Sequence, residues 1–381
     1  KLDVSGHATA QVVDLGNSSV TGLFAGAANG FANIEDFVGD GNNDTLRGTG
    51  SADTFTVSSQ NDGTVSGGVA ADFTDFSKLE GVGGNDTFTF NASLTGSASG
   101  GAGDETFSLN VNVPGTIDGG SGGETNGDKL NASGHGTAQV VDLGNSSVTA
   151  LFGGAANGFA NIEDFAGDGS NDTLRGTGSA DTFTVSSQND GTVSGGAAAD
   201  FTDFSKLEGV GGNDTFTFNA GLTGSASGGA GDDTFNLNVN VPGTIDGGAG
   251  GETNGDKLDL SGHGTAQVVN LGNSSVTGLF AGAANGFANI ESLKGDGSND
   301  TLLGANSVQT WNITGANDGN IGGTTSFTDF SNLTGGTAND TFAFGASGSL
   351  SGNLNGGAGS NTLDYSSYGT GVTVDLDKTT A

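Results

Sequence analysis

Residues 1–128 of this chain are written out almost unchanged a second time as residues 129–256, and Lys257 opens a third copy. The first two copies align without a gap and differ at 12 positions. Such close repetition indicates one structural unit arranged in series, because the units of a repeat protein bury their apolar surface against their neighbours. The repeat therefore favours the array, rather than a single pocket, as the basis of function.

The third copy is shorter than the first two, and the missing piece suggests the size of the underlying unit. Residues 257–361 form this copy, and residues 362–381 resemble the opening of a fourth. Most of the missing sequence falls between Phe344 and Gly356 and amounts to roughly 21 residues, about one coil of a β-solenoid. We therefore predict a parallel β-solenoid (β-helix or β-roll) of roughly 18 coils of about 21 residues, continuous through all copies. The chain also starts and stops within the repeat pattern, so we expect it to be a segment of a longer protein.

Composition and local pattern favour an all-β fold. The chain has 75 Gly and 24 Phe among 381 residues, but only 2 Pro and no Cys. Short runs such as Thr87–Phe90 (TFTF) alternate with Gly, Asn and Asp, which is typical of short strands joined by tight turns. Those turn residues tolerate the positive φ that sharp corners require. Trp311 stands where the first two copies have Phe55 and Phe183, which predicts an inward-facing position.

The charge of the chain limits its partners. Its 43 acidic and 9 basic residues give a formal net charge of −34. Nucleic acid and anionic membrane surfaces are disfavoured, because no basic face exists to neutralise phosphate. Cations, above all Ca²⁺, are the expected counter-species. No apolar run is long enough to predict a membrane span, and the absence of Cys excludes disulfides and thiolate metal sites.

The sharpest motif is G-x-G-x-x-D-T-[LF]. It occurs in tandem as Gly39–Arg47 (GDGNNDTLR) and Gly48–Thr56 (GTGSADTFT), and these positions repeat in the second copy. The segment Gly228–Asn236 (GGAGDDTFN) fits the Ca²⁺-binding nonapeptide G-G-x-G-x-D-x-U-x at every position.

Through these motifs, and through Asn33–Gly48 and Gly356–Leu376, the chain resembles the RTX-type and hemagglutinin-like giant repeat proteins of bacterial surfaces. The resemblance implies a secreted, extracellular parallel β-roll or β-helix in which Gly/Asp turns hold Ca²⁺. The predicted metal ligands are the carboxylates that match the motif: Asp44, Asp53, Asp86, Asp172, Asp181, Asp214, Asp233, Asp300 and Asp340.

The chain departs from the RTX pattern, and a second interpretation of the same residues stays open. At most two nonapeptides are consecutive, Glu105 replaces the Asp of position 233, and Gln309 replaces the Asp of positions 53 and 181. Asp and Asn also cap tight turns through bonds from the side chain to the backbone, without any metal. The sequence predicts either Ca²⁺ at some of these turns or turn capping alone.

Three functions compete at this stage. The first is a structural role without catalysis, in a surface fibre, sheath, S-layer or adhesin stalk that self-associates end to end. The second is an adhesin that binds a glycan or a cell-surface partner. The third is a polysaccharide-active β-helix enzyme, for which the nearest candidate cluster is Asp72, Asp75, Lys78 and Glu80. Its duplication in copy two and the scarcity of Arg and His disfavour that third function.

Calcium removal tests the metal hypothesis. Carboxylates on adjacent coils would lie about 5 Å apart, and each such pair would cost on the order of 3 kcal/mol at an effective dielectric of ~20. A divalent cation between them would reverse the sign of that interaction. We therefore expect EDTA to lower the melting temperature markedly, as followed by circular dichroism. An unchanged melt in EDTA would contradict calcium stabilisation.

Overall fold

The computed structural model describes residues 1–21, 30–148, 158–276 and 286–374, so residues 375–381 of the predicted fourth copy lie outside the described residues. Within these ranges every regular element is a β-strand. The chain divides into two compact units, which are described separately. The first unit contains Lys1–Thr177 and Asn189–Leu207, and the second contains Gly178–Gln188 and Glu208–Ala381.

The strands are short, and their bounds recur from copy to copy. Copy one contains β1 (Leu2–Asp3), β2 (Val12–Asp14), β3 (Ser19–Val20), β4 (Asp36–Val38), β5 (Thr45–Arg47), β6 (Thr54–Ser59), β7 (Asp62–Ser66), β8 (Ala71–Thr74), β9 (Lys78–Glu80), β10 (Thr87–Phe90), β11 (Ser97–Gly101), β12 (Thr106–Leu109) and β13 (Thr116–Gly120). Copy two contains β14 (Lys129–Asn131), β15 (Val140–Asp142), β16 (Ser147–Val148), β17 (Phe159–Ala160), β18 (Asp164–Ala166), β19 (Thr173–Arg175), β20 (Thr182–Ser187), β21 (Asp190–Ser194), β22 (Ala199–Thr202), β23 (Lys206–Gly211), β24 (Thr215–Phe218), β25 (Ser225–Ala230), β26 (Thr234–Leu237) and β27 (Thr244–Gly248). The rest of the described chain contains β28 (Lys257–Asp259), β29 (Val268–Asn270), β30 (Ser275–Val276), β31 (Phe287–Ala288), β32 (Ser292–Lys294), β33 (Thr301–Leu303), β34 (Thr310–Ile313), β35 (Gly319–Ile321), β36 (Thr325–Thr328), β37 (Asn332–Thr334), β38 (Thr341–Phe344), β39 (Leu354–Asn355) and β40 (Thr362–Asp364).

Most strands of the first unit lie in two sheets, which we call the first face and the second face, whereas β15, β16 and β19 belong to a further sheet. The order on the first face is β1-β4-β8-β7-β6-β10-β12-β14-β18-β22-β21. The order on the second face is β3-β2-β5-β9-β11-β13-β17. Most of these neighbours are parallel, and β3, β7 and β21 make antiparallel pairs. The prediction of an all-β, parallel solenoid is confirmed.

The coils differ in length, whereas the sequence predicted a single coil length throughout. Coils are short where Phe88 of β10 pairs with Phe107 of β12, and where Phe107 pairs with Leu130 of β14. They are longer where Phe55 of β6 pairs with Phe88, and where Leu2 of β1 pairs with Phe37 of β4. The longer coils carry additional strands: β7 folds back between β6 and β8, and β3 folds back beside β2.

With these additional strands included, the two faces have the same number of strands per repeat. On the first face, copy one supplies seven strands from β1 to β12 before β14 begins the next copy. The second face also has seven strands, from β3 to β17. At about 4.8 Å between neighbouring strands, each face therefore rises by roughly 34 Å per repeat.

The second unit repeats this arrangement with one coil fewer. Its first face runs β20-β24-β26-β28-β32-β36-β35-β34-β38-β40, and its second face includes β25-β27-β31 and β30-β29-β33-β37-β39. Strand β38 pairs directly with β40, with Thr341 opposite Thr362, whereas the equivalent β24 reaches β28 only through β26. The shortened third copy has therefore lost one coil.

The core is built from side chains that stack on themselves from coil to coil. Phe55, Phe88 and Phe107 occupy the same position on β6, β10 and β12, are fully buried, and have ring centroids 4.9 and 4.8 Å apart. This spacing equals the distance between neighbouring strands, so register alone places the rings in offset contact. In the second unit, Trp311 is buried and stacks on Phe342 at 5.4 Å, as its alignment with Phe55 predicted.

The centre of this aromatic column determines its stability. Replacing Phe88 with Ala removes a fully buried ring that contacts one ring on each side, and we expect a loss of about 3–5 kcal/mol in the free energy of unfolding. The neighbouring Thr89 points away from the core and is only half-buried, so Thr89→Ala should cost well under half as much. Urea unfolding measures both, and equal losses would contradict the assignment of the column as core.

Candidate metal centre: a ladder of buried carboxylates

One acidic side chain stands just before most first-face strands, and most of these side chains bond to the backbone of the preceding coil. The Oδ1 atom of Asp86, which precedes β10, accepts the main-chain N–H of Asp53 at 2.7 Å. The Oδ1 atom of Asp128 likewise accepts the N–H of Glu105 at 2.8 Å. The amide bonded in each case would otherwise lie buried at the corner without a partner. We call these residues the carboxylate ladder: Asp53, Asp86, Glu105, Asp128 and Glu163 in the first unit, and Asp181, Asp214, Asp233, Asp256 and Glu291 in the second.

A second set of acidic residues serves the opposite corner. Asp44 precedes β5, and its Oδ1 accepts the N–H of Gln11 at 2.7 Å. Asp172 does the same for Gln139 at 2.6 Å. Asp300 accepts the corresponding N–H of Gln267 in copy three.

The structure buries all nine predicted metal ligands. Each is 0–1% exposed: Asp44, Asp53, Asp86, Asp172, Asp181, Asp214, Asp233, Asp300 and Asp340. Most of them use one oxygen to accept a main-chain N–H from another coil, as do Asp44, Asp86, Asp172, Asp214, Asp233, Asp300 and Asp340. All nine residues are therefore buried at coil corners. They differ in whether the second carboxylate oxygen has a hydrogen-bond donor.

In one group, the protein supplies hydrogen bonds to both oxygens. Asp53 accepts the N–H of Gly68 at Oδ1, and it accepts the N–H and hydroxyl of Thr49 at Oδ2. Asp44, Asp172, Asp300 and Asp340 also accept one main-chain N–H at each oxygen. These carboxylates carry out the turn capping that the sequence offered as the alternative to metal binding.

In the other group, Oδ2 is buried without a hydrogen-bond partner. Among the predicted ligands this holds for Asp86, Asp214 and Asp233. The Oδ2 of Asp86 and the carbonyl oxygen of Gly100 both face the α-carbon of Gly81, where a Cβ would not fit. Two acceptors therefore face the same small space. These three carboxylates fit a cation better than the fully bonded group, because a cation would satisfy the unpartnered oxygen.

Burial changes the acidity of these groups. Loss of solvent raises the pKa of Asp86 and that of Asp214 to about 7, against the smaller opposing effect of their backbone hydrogen bonds. Burial also raises the pKa of Asp233 and that of Glu105, with Asp128 adding to the effect at Glu105. Asp86 and Asp214 are therefore partly protonated at neutral pH.

Sequence reasoning missed several members of the ladder. Asp128 and Asp256 are fully buried in it, with Oδ2 unpartnered, and Glu163 and Glu291 accept their main-chain N–H groups at 2.9 Å. The signal was present in the loop GGxGGETNGDKL, which carries the G-x-G and D-x-L elements of the motif with additional residues between them.

At this loop Glu252 approaches two members of the ladder, Asp256 and Glu291. One oxygen from each of Glu252, Asp256 and Glu291 lies within 4.8 Å of the others, and this is the one such acidic group in the described part of the chain. The three residues belong to the second unit and come from two successive coils.

The cluster considered for catalysis is divided between the two faces. Asp72 is exposed on β8 of the first face, and Asp75 follows that strand. Lys78 and Glu80 lie on β9 of the second face, where Glu80 forms an ion pair with Arg47 at 2.6 Å. The four side chains thus serve separate surfaces of the first unit.

No protein-family model matches the chain, and no curated protein matches it either. In the ranges described, no helix has the length and apolar character needed to cross a bilayer.

The hydrogen bonding of the second carboxylate oxygen predicts opposite effects on stability for Asp→Asn substitutions at positions 86 and 53. In EDTA at pH 8, Asp86→Asn should stabilise the protein by about 1–3 kcal/mol, because it replaces an unpartnered buried oxygen with a donor facing the Gly100 carbonyl. Asp86 has a folded pKa of about 7, above its unfolded value, so the ionised carboxyl destabilises the fold as pH rises from about 4 to about 7. The gain from Asp86→Asn should therefore shrink at pH 5.

The matched control is Asp53→Asn, which places a donor among amides that already donate. It should destabilise the protein at both pH values. Urea unfolding of the two variants at pH 5 and pH 8 measures these differences, and equal signs for the two substitutions would contradict the division of the ladder into two groups.

Proposed function

We propose that this chain is a structural, non-catalytic extracellular repeat protein. In this proposal it forms or extends a surface fibre, sheath, S-layer or adhesin stalk by self-association, and Ca²⁺ stabilises its coils. The localisation follows the resemblance to secreted bacterial surface proteins.

The observation that carries the proposal is the identity of the joints between copies. Copy one joins copy two by pairing Thr106 with Lys129 and Phe107 with Leu130. Copy two joins copy three by the same pairing one repeat later, Thr234 with Lys257 and Phe235 with Leu258. The chain can therefore become longer by adding copies that pair through the same contacts. This is expected of a protein whose function depends on its length.

The role of Ca²⁺ is supported by charge and by the ladder. The chain carries a net charge of −34, and Asp86, Asp214 and Asp233 each have one buried carboxylate oxygen without a donor. A hard cation that prefers oxygen ligands would relieve both the repulsion and the unpartnered atoms.

The adhesin alternative has less support in the molecule. Glycan sites commonly present aromatic side chains to solvent, whereas the stacked Phe55, Phe88 and Phe107 lie in the core. The exposed large apolar side chains among the described residues are aliphatic: Val82, Val210, Val308, Leu363, Val372 and Val374. The proposal therefore favours length and self-association over glycan recognition.

Electron microscopy of the purified chain tests the function. We expect filaments or lattices in the presence of Ca²⁺, because strand edges of a solenoid end are open to pairing with another copy. A variant without residues 129–256 keeps the same joint, pairing Thr106 with Lys257, and should assemble as well. Dispersed single particles at all protein concentrations, together with binding on a glycan array, would contradict the structural role.

A further inference from the structure

We propose that Glu252, Asp256 and Glu291 form a Ca²⁺ site at the joint between two copies. The inference deepens the calcium dependence proposed above, but none of its residues is among the nine ligands predicted from the nonapeptides. One oxygen from each residue lies within 4.8 Å of the others, so three carboxylates share one small volume. The adjacent Lys257 does not neutralise them, because its Nζ pairs with Asp259 at 2.8 Å.

The unpartnered oxygen of Asp256 indicates a missing ligand. Asp256 is 0% exposed, and its Oδ1 accepts the N–H of Asp233 at 2.7 Å. Its Oδ2 has no hydrogen-bond partner and faces the α-carbon of Gly247 beside the carbonyl oxygen of Asn289. A buried carboxylate oxygen that faces other oxygens calls for a positive charge.

The loop that carries Glu252 is held from the coil before it. The Oδ1 atom of Asp232 accepts the N–H groups of Thr253, Asn254 and Gly255 at 2.7, 2.9 and 3.0 Å. Because it is engaged by the loop backbone, Asp232 is a positioning residue and not a ligand. From the following coil, Glu291 accepts the N–H of Asp256 at Oε2, at 2.9 Å.

The donor set selects the class of cation. Three carboxylates and the Asn289 carbonyl provide only oxygen atoms, which hard cations prefer. Ca²⁺ accepts six to eight oxygens in flexible geometry, whereas Mg²⁺ demands a near-octahedral shell. Glu252 is exposed and Asp256 is buried, so the site opens to solvent on one side and water can complete the shell of Ca²⁺.

Part of this arrangement recurs at the joint between copies one and two. Asp128 also has an unpartnered Oδ2, and its N–H is accepted by Glu163 at 2.9 Å. Asp104 accepts the N–H groups of Thr125 and Asn126 just before it, as Asp232 does in the second unit. Glu124 takes the place of Glu252 in this copy. The carboxylates of Glu124, Asp128 and Glu163 do not come within 4.8 Å of one another as those of Glu252, Asp256 and Glu291 do, so the proposed site is confined to the second unit.

Isothermal titration calorimetry with CaCl₂ on chelator-treated protein tests the site. Glu252→Gln removes one carboxylate from an exposed loop position, so the fold should survive. We expect this variant to lose one equivalent of Ca²⁺, or to bind it roughly tenfold more weakly, because ligand charge sets the affinity.

The matched control is Glu35→Gln. Glu35 occupies the same repeat position as Glu163 and Glu291 and is exposed, so this variant removes the same charge outside the cluster. Its isotherm should match that of the unmodified protein. An isotherm for Glu252→Gln that matches those of the unmodified protein and of Glu35→Gln would overturn the site, even if filaments form. Calcium loss in Glu252→Gln without any filaments would instead overturn the structural role and leave the site standing.

Discussion

The bond from a buried carboxylate to the backbone of the adjacent coil is the interaction on which the rest of this structure depends. Strand pairing satisfies main-chain groups on the flat faces, but the corner between faces interrupts that pairing. At the corner before β10, Asp86 accepts the N–H of Asp53, while the carbonyl of Asp53 accepts the N–H of Thr87. The side chain thus continues the ladder where the main chain alone would not. The glycine at position 81 is part of the same requirement, because a side chain there would collide with the carboxylate.

This solution carries an electrostatic cost that the molecule does not fully offset by itself. Most coils add a carboxyl to a buried column, and several of these carboxyls keep one oxygen without a donor. Where both oxygens accept amides, as in Asp53, these hydrogen bonds offset part of the cost of burying the carboxyl. Where one oxygen is unpartnered, protonation or a cation must compensate for it, so coil stability is linked to pH and to the ions present. Acidic residues of this chain therefore lie in its interior as well as on its surface.

Much of the fold could be predicted from the sequence, because the period, the short β-branched and aromatic runs and the turn residues all indicate the same architecture. The inward position of Trp311 followed from its alignment with Phe55. The unequal coils could not be predicted, since the strands β7 and β8 have the same local pattern as strands that advance to the next coil. The burial of Asp86 was equally hidden, because a motif Asp looks the same whether its carboxylate meets solvent, an ion or an amide. Glu252 and Glu291 are distant from each other in the sequence, and only the three-dimensional register brings them together.

The equal number of strands on the two faces has a consequence for how such a chain can change length. In the first unit, the first face gains the additional strands β7 and β8, and the second face gains β3 and β17. Each face therefore adds seven strands per repeat. An insertion confined to one face would make that face longer than the other. In every following coil, the strands of the two faces would then no longer be in register. The third copy obeys this rule. On the first face β38 pairs directly with β40, and on the second face one strand, β39, lies between β37 and β40 in the chain, where copy one has two, β11 and β13, between β9 and β14. Heritable changes in length are therefore quantised: the chain grows or shrinks by whole coils, and the smallest tolerated step is one strand on each face.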